Sequence, residues 1–390
     1  MIWFFVANAK KNEHYMKPTI IAYYLPQFYP FKENDEWWGK GFTEWTNVGK
    51  AKPLWKGHYQ PRVPADLGYY DLRVPEVREQ QAELAREAGV TAFCYWHYWF
   101  GNGKRLLERV FDEVLESGKP DFPFCLGWAN HSWYAKTWDK DTNKDRLLIE
   151  QTYPGIEDAK AHFKFLIKAF NDPRYLKIDG KPLFLIFETK NFPGEYLSWF
   201  RQWTKDAGFP DLYIVANIFN RIQDSKEVNH YREIGYDAVV DNKLNNGYHY
   251  DIYMKFSSFS RRIYLLKKRI KKILKGIPMR AVDYDFYFSN IDKSNEKNEH
   301  VISQLVPQWD HSPRSNKKAA FILYNSNPDT FYRHAKNTLE IVKEKPQDKQ
   351  IVFLKSWNEW AEGNYMEPDL KYGKGYIYAL RKAIKDVYGE

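Results

Sequence analysis

Eight short apolar runs rich in β-branched and aromatic residues recur along this chain, with helical patterns between them. They cover Thr19–Gln27, Val90–Trp96, Phe122–Trp128, Leu183–Phe187, Leu212–Ile218, Asp237–Val240, Val301–Val306 and Ile351–Lys355. The segments Val74–Ala88, Lys104–Ser117, Glu157–Phe170, Gly194–Ala207, Val228–Ile234 and Thr330–Glu344 repeat apolar residues at helical spacing. The first of these helices has Pro75 in its first turn and stops at Gly89, the expected asymmetry of helix ends. Strands that read as continuous apolar runs are covered on both faces. Eight of them alternating with helices predict an α/β fold, a (β/α)8 TIM barrel over residues 19–390 with residues 1–18 as an N-terminal extension. An open doubly wound sheet would carry a Gly-rich phosphate turn after its first strand; Pro26-Gln27-Phe28-Tyr29-Pro30 stands there instead.

Such barrels hold their chemistry at the C-terminal ends of the strands. In this chain nearly every end combines aromatic and polar residues: Tyr23, Tyr24 and Gln27; Trp96-His97-Tyr98-Trp99; Trp128-Ala129-Asn130-His131; Glu188; Asn217; Asp241-Asn242; Gln308-Trp309-Asp310-His311; Trp357-Asn358-Glu359. Two long insertions fall on the same face. Residues 30–68 are dense in Trp, Gly and Pro without helical period, and residues 243–300 include a strongly basic helix. Both are expected to wall or cover the barrel mouth.

The last strand end reads Trp357-Asn358-Glu359-Trp360-Ala361-Glu362-Gly363. Two acids beside large aromatic faces suit glycosidic chemistry: one carboxyl handles the glycosidic oxygen, the other stabilises or activates, and indoles cover the apolar face of a sugar. A general acid must hold its proton near neutrality, so Glu362 is expected under apolar cover from Trp360 and other aromatics. Aromatics make up 18% of the chain, and many of its 15 tryptophans lie in polar, loop-like contexts where a core alone would not need them. Substrate-binding candidates are Tyr24, Gln27, Trp45, Trp96, His97, Tyr98, Trp128, Asn130, His131, Asn217, Asp241, Trp309, Asp310, Arg314, Trp357 and Asn358. His97, His131 and His311 lack metal-ligand spacing, so no metal or cofactor is expected. Glu188 ranks as a second choice of acid.

The net charge of +9 is concentrated locally. Residues 261–275 hold eight Lys or Arg and no acid, with apolar residues at 263, 266, 270 and 273/274 on one helical face. Either that stripe packs on the domain, or the helix meets anionic lipid or a lipid-linked glycan at the membrane periphery. No nucleic-acid motif accompanies the charge. Cys94 and Cys125 fall in buried strands and read as small core residues of a reducing compartment, with one disulfide between them as the alternative. With no convincing leader and no spanning apolar run, a cytoplasmic location is expected, and Met16 is an alternative start.

Several long segments resemble the WbsX-like polysaccharide (lipopolysaccharide) biosynthesis family, which is similar to glycoside hydrolase family 99. They are IAYYLPQFYP at 21–30, ENDEWWGKGFTEWTNV at 33–48, GHYQPRVPADLGYYDLR at 57–73, FCYWHYWF at 93–100, KPDFPFCLGWAN at 119–130 and SWNEWAEG at 356–363. The resemblance implies a (β/α)8 enzyme that cleaves mannose- or rhamnose-like residues of a bacterial polysaccharide with retention. It implies that Glu359 takes the proton of the substrate's own 2-hydroxyl, which closes a 1,2-anhydro sugar, and that Glu362 serves as acid/base. Ala129-Asn130-His131-Ser132-Trp133 departs from the Ala-Asn-Glu-Asn-Trp form of many relatives, which bears on the sugar accepted. A glycosyltransferase or transglycosylase of O-antigen or capsule assembly is the alternative, since an acceptor sugar can replace water.

Overall fold

The computed structural model describes residues 17–135, 146–219, 222, 224–244, 252–319 and 321–389. The extension assigned to residues 1–18, with Met16, thus falls almost wholly outside the described residues. Eight parallel strands form the barrel: β1 Thr19–Tyr24, β2 Ala92–Trp99, β3 Phe124–Trp128, β4 Lys181–Ile186, β5 Tyr213–Ile218, β6 Ala238–Asp241, β7 Val301–Leu305 and β8 Ile351–Leu354. Each pairs with its neighbour in sequence. The ring closes where Thr19 to Ala22 of β1 pair with Ile351 to Leu354 of β8, while Ile21 to Tyr24 pair with Ala92 to Tyr95 of β2. The expected strands all form, within a few residues at each end.

The strands bury both faces because side chains alternate between barrel interior and helix layer. In β1, Tyr23 points inward and stacks on Trp96 and Phe353 at 4.7 and 4.9 Å. Tyr24 points outward, where its hydroxyl donates to Gln81 of the helix Pro75–Ala88 at 2.6 Å. Gly127 in β3 makes room for that interior stack: a Cβ there would come within 3.0 Å of both Cys94 Sγ and the Trp96 ring. Cys94 and Cys125 are buried, free and opposite each other in the β2–β3 register. A C-terminal helix, Gly375–Tyr388, adds to those expected; it packs Tyr376, Ile377, Leu380 and Ile384 into the core beside the helices Pro328–Lys343 and Pro75–Ala88.

The insertion after β1 departs from expectation in containing two helices, Lys32–Trp38 and Glu44–Lys50. At seven residues each they are too short to display a period; the second is set by a capping box between Thr43 and Thr46. The insertion after β6 includes the basic helix Ser258–Lys275. It also contributes the strand Ala281–Asp283 to a small sheet with Ile322–Tyr324 and Trp309–Asp310. Among the described residues, no helix is long and apolar enough to cross a membrane.

Candidate active site

At the C-terminal mouth of the barrel lies a cleft of about 520 Å³, lined by Glu359 and Glu362 together with Gln27, Trp96, Tyr98, His131 and Arg314. The insertion after β1 adds Asn34, Trp38 and Glu44, the ends of β8 and β4 add Lys355 and Phe187, and the loop after β3 adds Trp133. Glu359 and Glu362 therefore share one cavity with an indole floor. Glu359 accepts hydrogen bonds from Trp96 Nε1 at 3.2 Å and Ser356 Oγ at 3.0 Å.

Burial pushes the Glu359 carboxyl up to about 7, and the charge and hydrogen bond of neighbouring Glu362 add to this against the pull of Lys355 and Arg314. Glu362 is held differently. Its carboxylate accepts a short hydrogen bond from Arg314 Nη1, and His311 Nε2 lies 3.7 Å away. The same guanidinium reaches the fully buried Glu44, Nη2 to Oε2 at 3.1 Å. Burial raises the Glu44 carboxyl in spite of Arg314, while the acids around Arg314 raise its own pKa against the effect of burial. The expected apolar cover is thus found over Glu359, and Glu362 has an ion pair in its place. Trp360, expected to shield Glu362, is buried elsewhere: it stacks on Tyr365 at 3.7 Å and donates to Glu367 at 2.6 Å.

Other candidates are drawn away from the cleft by strand alternation. His97 points outward from β2 and bonds His162 Nε2 at 2.9 Å; burial and the nearby Arg105 hold its pKa well below the usual value. Trp128 is buried and donates to Trp99 O. Trp357 is buried near Phe93, and Tyr24 lies in the outer core as described. Asn358 clamps Leu25 through its backbone N and O at 2.7 and 3.0 Å, tying the β8 end to the β1 end. Asn130 likewise pins the end of β4, accepting from Phe187 N and Glu188 N and donating to Glu188 O. Asn217 donates to Phe187 O, and the Glu188 carboxylate accepts from Lys190 N. Asp241 is fully buried against Lys243, which also meets Glu296 at 3.0 Å. Trp45 donates to Tyr70 O and packs on Trp360, while Trp309 stands beneath the Lys355 ammonium at 5.1 Å.

Asp310 is a buried anchor. It accepts from His58 Nε2 and Gln60 Nε2, both at 2.7 Å, with Arg62 at 3.8 Å. Burial opposes its charge, but these donors hold its carboxyl well below the usual range. The network fastens the insertion after β1 to the β7 end. Gly363 completes the junction: at φ +55° it sits where a Cβ would fall 2.8 Å from Asp310 Cβ and 3.0 Å from the Arg62 guanidinium.

Four contributors escaped the sequence reasoning. Glu44 and Asn34 lie in the tryptophan-rich insertion, where no strand end marks them. The Asn34 amide lines the cleft, buried with neither atom paired among the described residues, which is costly unless a polar ligand meets it. Lys355 adjoins the acid motif, where its position at the end of β8 could have identified it. Glu367 lies beneath the motif and accepts from Trp360, Tyr70 and Gln81; burial raises its carboxyl to about 7 in spite of these donors. His131 lines the cleft, and burial lowers it to about 4, so its ring is neutral at physiological pH.

The family described as glycosyltransferase WbsX matches residues 20–380. Two proteins of Xanthomonas campestris pv. campestris, both described as uncharacterized protein WxcX, are 34% identical over 371 and 375 residues, covering 94% of this chain and 49% of theirs. The chain spans about half the length of these curated relatives. Among solved structures, a glycoside hydrolase-like protein superposes with a TM-score of 0.58 at 16% identity, over 98% of this chain and 96% of its own. The GH99 endo-α-mannosidase from Bacteroides thetaiotaomicron, in complex with BIS-TRIS-propane, gives 0.52 at 14% identity over 95% and 96%. At such identities the likeness is one of fold.

Proposed function

The chain belongs to the WbsX glycosyltransferase family, and we propose that it is a carbohydrate-active enzyme that breaks a glycosidic bond of a bacterial polysaccharide with retention. The observation that carries this reading is the acid pair in the cleft, with Glu359 disposed to hold a proton and Glu362 paired with the Arg314 guanidinium. One proton on two adjacent carboxyls is the resting state such chemistry needs. Trp96 and Trp38 offer faces for a sugar ring, and Asn34, Gln27 and His131 offer polar atoms for its hydroxyls.

The division of labour follows the family resemblance. Glu359 takes the proton from the 2-hydroxyl as that oxygen displaces the leaving group at the anomeric carbon, giving a 1,2-anhydro sugar. Glu362 gives its proton to the glycosidic oxygen. Water then attacks the anomeric carbon and breaks its bond to O2, losing a proton to Glu362, while O2 recovers its proton from Glu359. In the free cleft burial favours a proton on Glu359. A single transfer between the neighbouring carboxyls moves the proton to Glu362 when Glu359 is needed as the base. A mannose- or rhamnose-like sugar, whose 2-hydroxyl is axial, suits this displacement.

A second reading, transfer to an acceptor sugar in O-antigen or capsule assembly, is favoured by the family's description as glycosyltransferase and uses the same pair. The deciding experiment follows the first products from purified bacterial polysaccharides by NMR in ¹⁸O-water. Hydrolysis labels the new reducing end with the anomer retained; transfer lengthens chains without label. An inverted first anomer would sink the mechanism, and undiminished cleavage by Glu362→Gln would sink the assignment of the acid.

A further inference from the structure

We propose that the helix Ser258–Lys275 is a membrane-surface element that seats this protein on a bilayer bearing anionic lipid headgroups. Most amphipathic helices turn their apolar stripe toward the core. This one does the reverse. None of its residues is buried. Phe259, Leu266, Ile273 and Leu274 are 73%, 56%, 80% and 76% exposed, and Ile263 and Ile270 are exposed with them. At about 100° per residue these six side chains fall within an arc of roughly 100°. The flank beyond Lys267 contacts the protein: Tyr264 stacks on Phe286 at 5.3 Å, and Lys271 Nζ donates to Tyr324 at 2.9 Å. The helix is therefore docked through residues outside the stripe, with its apolar side outward.

Charge identifies the occupant. Residues 261–275 contain eight Lys or Arg and no acid. By the same helical geometry Arg262 and Arg269 border the stripe on one side and Lys267 on the other. An apolar strip edged by cations matches an interface where acyl chains lie beneath phosphate headgroups. An apolar protein partner would match the strip but leave the cations unpaired.

The placement also fits. The insertion follows β6, so it leaves the barrel at the end that holds the cleft. Just after the helix, Ile277 packs in one cluster with Trp55 of the first insertion. A bilayer under the helix therefore lies beside the active face. The proposal stands on the helix alone and does not rest on the glycosidic chemistry.

The test is co-sedimentation of the full chain with vesicles of phosphatidylcholine, with and without phosphatidylglycerol. Binding is expected at least about tenfold tighter to the anionic vesicles and weaker as salt rises. Two surface variants separate the contributions: Ile270→Ser/Ile273→Ser/Leu274→Ser removes the apolar strip, and Lys267→Gln/Arg269→Gln/Lys272→Gln removes charge. Each is expected to lose vesicle binding with an unchanged melting temperature and unchanged activity on soluble glycan. Three results would overturn the proposal: no binding to either vesicle, equal binding to both, or wild-type binding by both variants. So would light scattering showing a dimer that the apolar variant abolishes without any vesicle binding, because the strip would then belong to a second copy of the chain.

Discussion

The two insertions at the barrel mouth solve opposite problems. The one after β1 buries charged groups and pairs them: Asp310 gathers His58, Gln60 and Arg62, and Arg314 bridges Glu44 to Glu362. The one after β6 keeps its basic helix on the surface with the apolar side outward. Desolvated charge is costly unless geometry compensates it, so a segment carrying such pairs is held to one arrangement, as a catalytic site requires. Exposed apolar surface beside cations commits its helix to something outside the molecule.

The contrast can be broken experimentally, most severely at the buried network. Asp310→Ala should cost about 3–5 kcal/mol in urea unfolding, because it removes the carboxylate beside the buried Arg62 charge and leaves the His58 and Gln60 donors without their acceptor. Glu359→Gln and Glu362→Gln should each lower kcat at least about a hundredfold while leaving the fold intact. A substrate with an activated leaving group should rescue only the residue that acts as the acid, which would also settle whether the proton preference of the free cleft survives in the complex.

Arg314→Met should move the pH–rate profile upward, because its charge lowers the Glu359 carboxyl and pairs with Glu362. Glu367 provides a thermodynamic counterpart. Its carboxyl is raised from 4.5 to about 7 in the fold, so its stabilisation is complete below the unfolded value and lost as pH climbs through the folded one. Melting temperatures should therefore fall from about pH 5 to pH 8, and Glu367→Gln should flatten part of that fall. The smallest effect belongs to the basic helix: Ile273→Ser with Leu274→Ser should change unfolding free energy by no more than about 0.5 kcal/mol. A larger loss would mean that the stripe supports the fold.

Periodicity and strand-end position made the barrel legible, because apolar runs and helical repeats report burial directly. The same logic located Glu359, Glu362, Trp96, Tyr98, His131 and Arg314 at the mouth. It failed for His97, Trp128 and Trp357, since neighbours on a strand point to opposite sides and one strand end supplies both cleft and core. Asn130 and Asn358 were read as sugar ligands, but they satisfy the backbone where strands stop. Glu44, Asn34 and Glu367 were missed because their importance comes from burial beside residues tens to hundreds of positions away.

What the sequence determined by itself was the number and order of strands, the acid pair and the amphipathic pattern of the basic helix, all set by local spacing. Only the tertiary structure decided which acid is shielded and which is paired, because burial and the reach of Arg314 are properties of the assembled mouth. It also decided which way the basic helix faces. A hydrophobic period shows that a stripe exists, and only packing shows which side meets the protein.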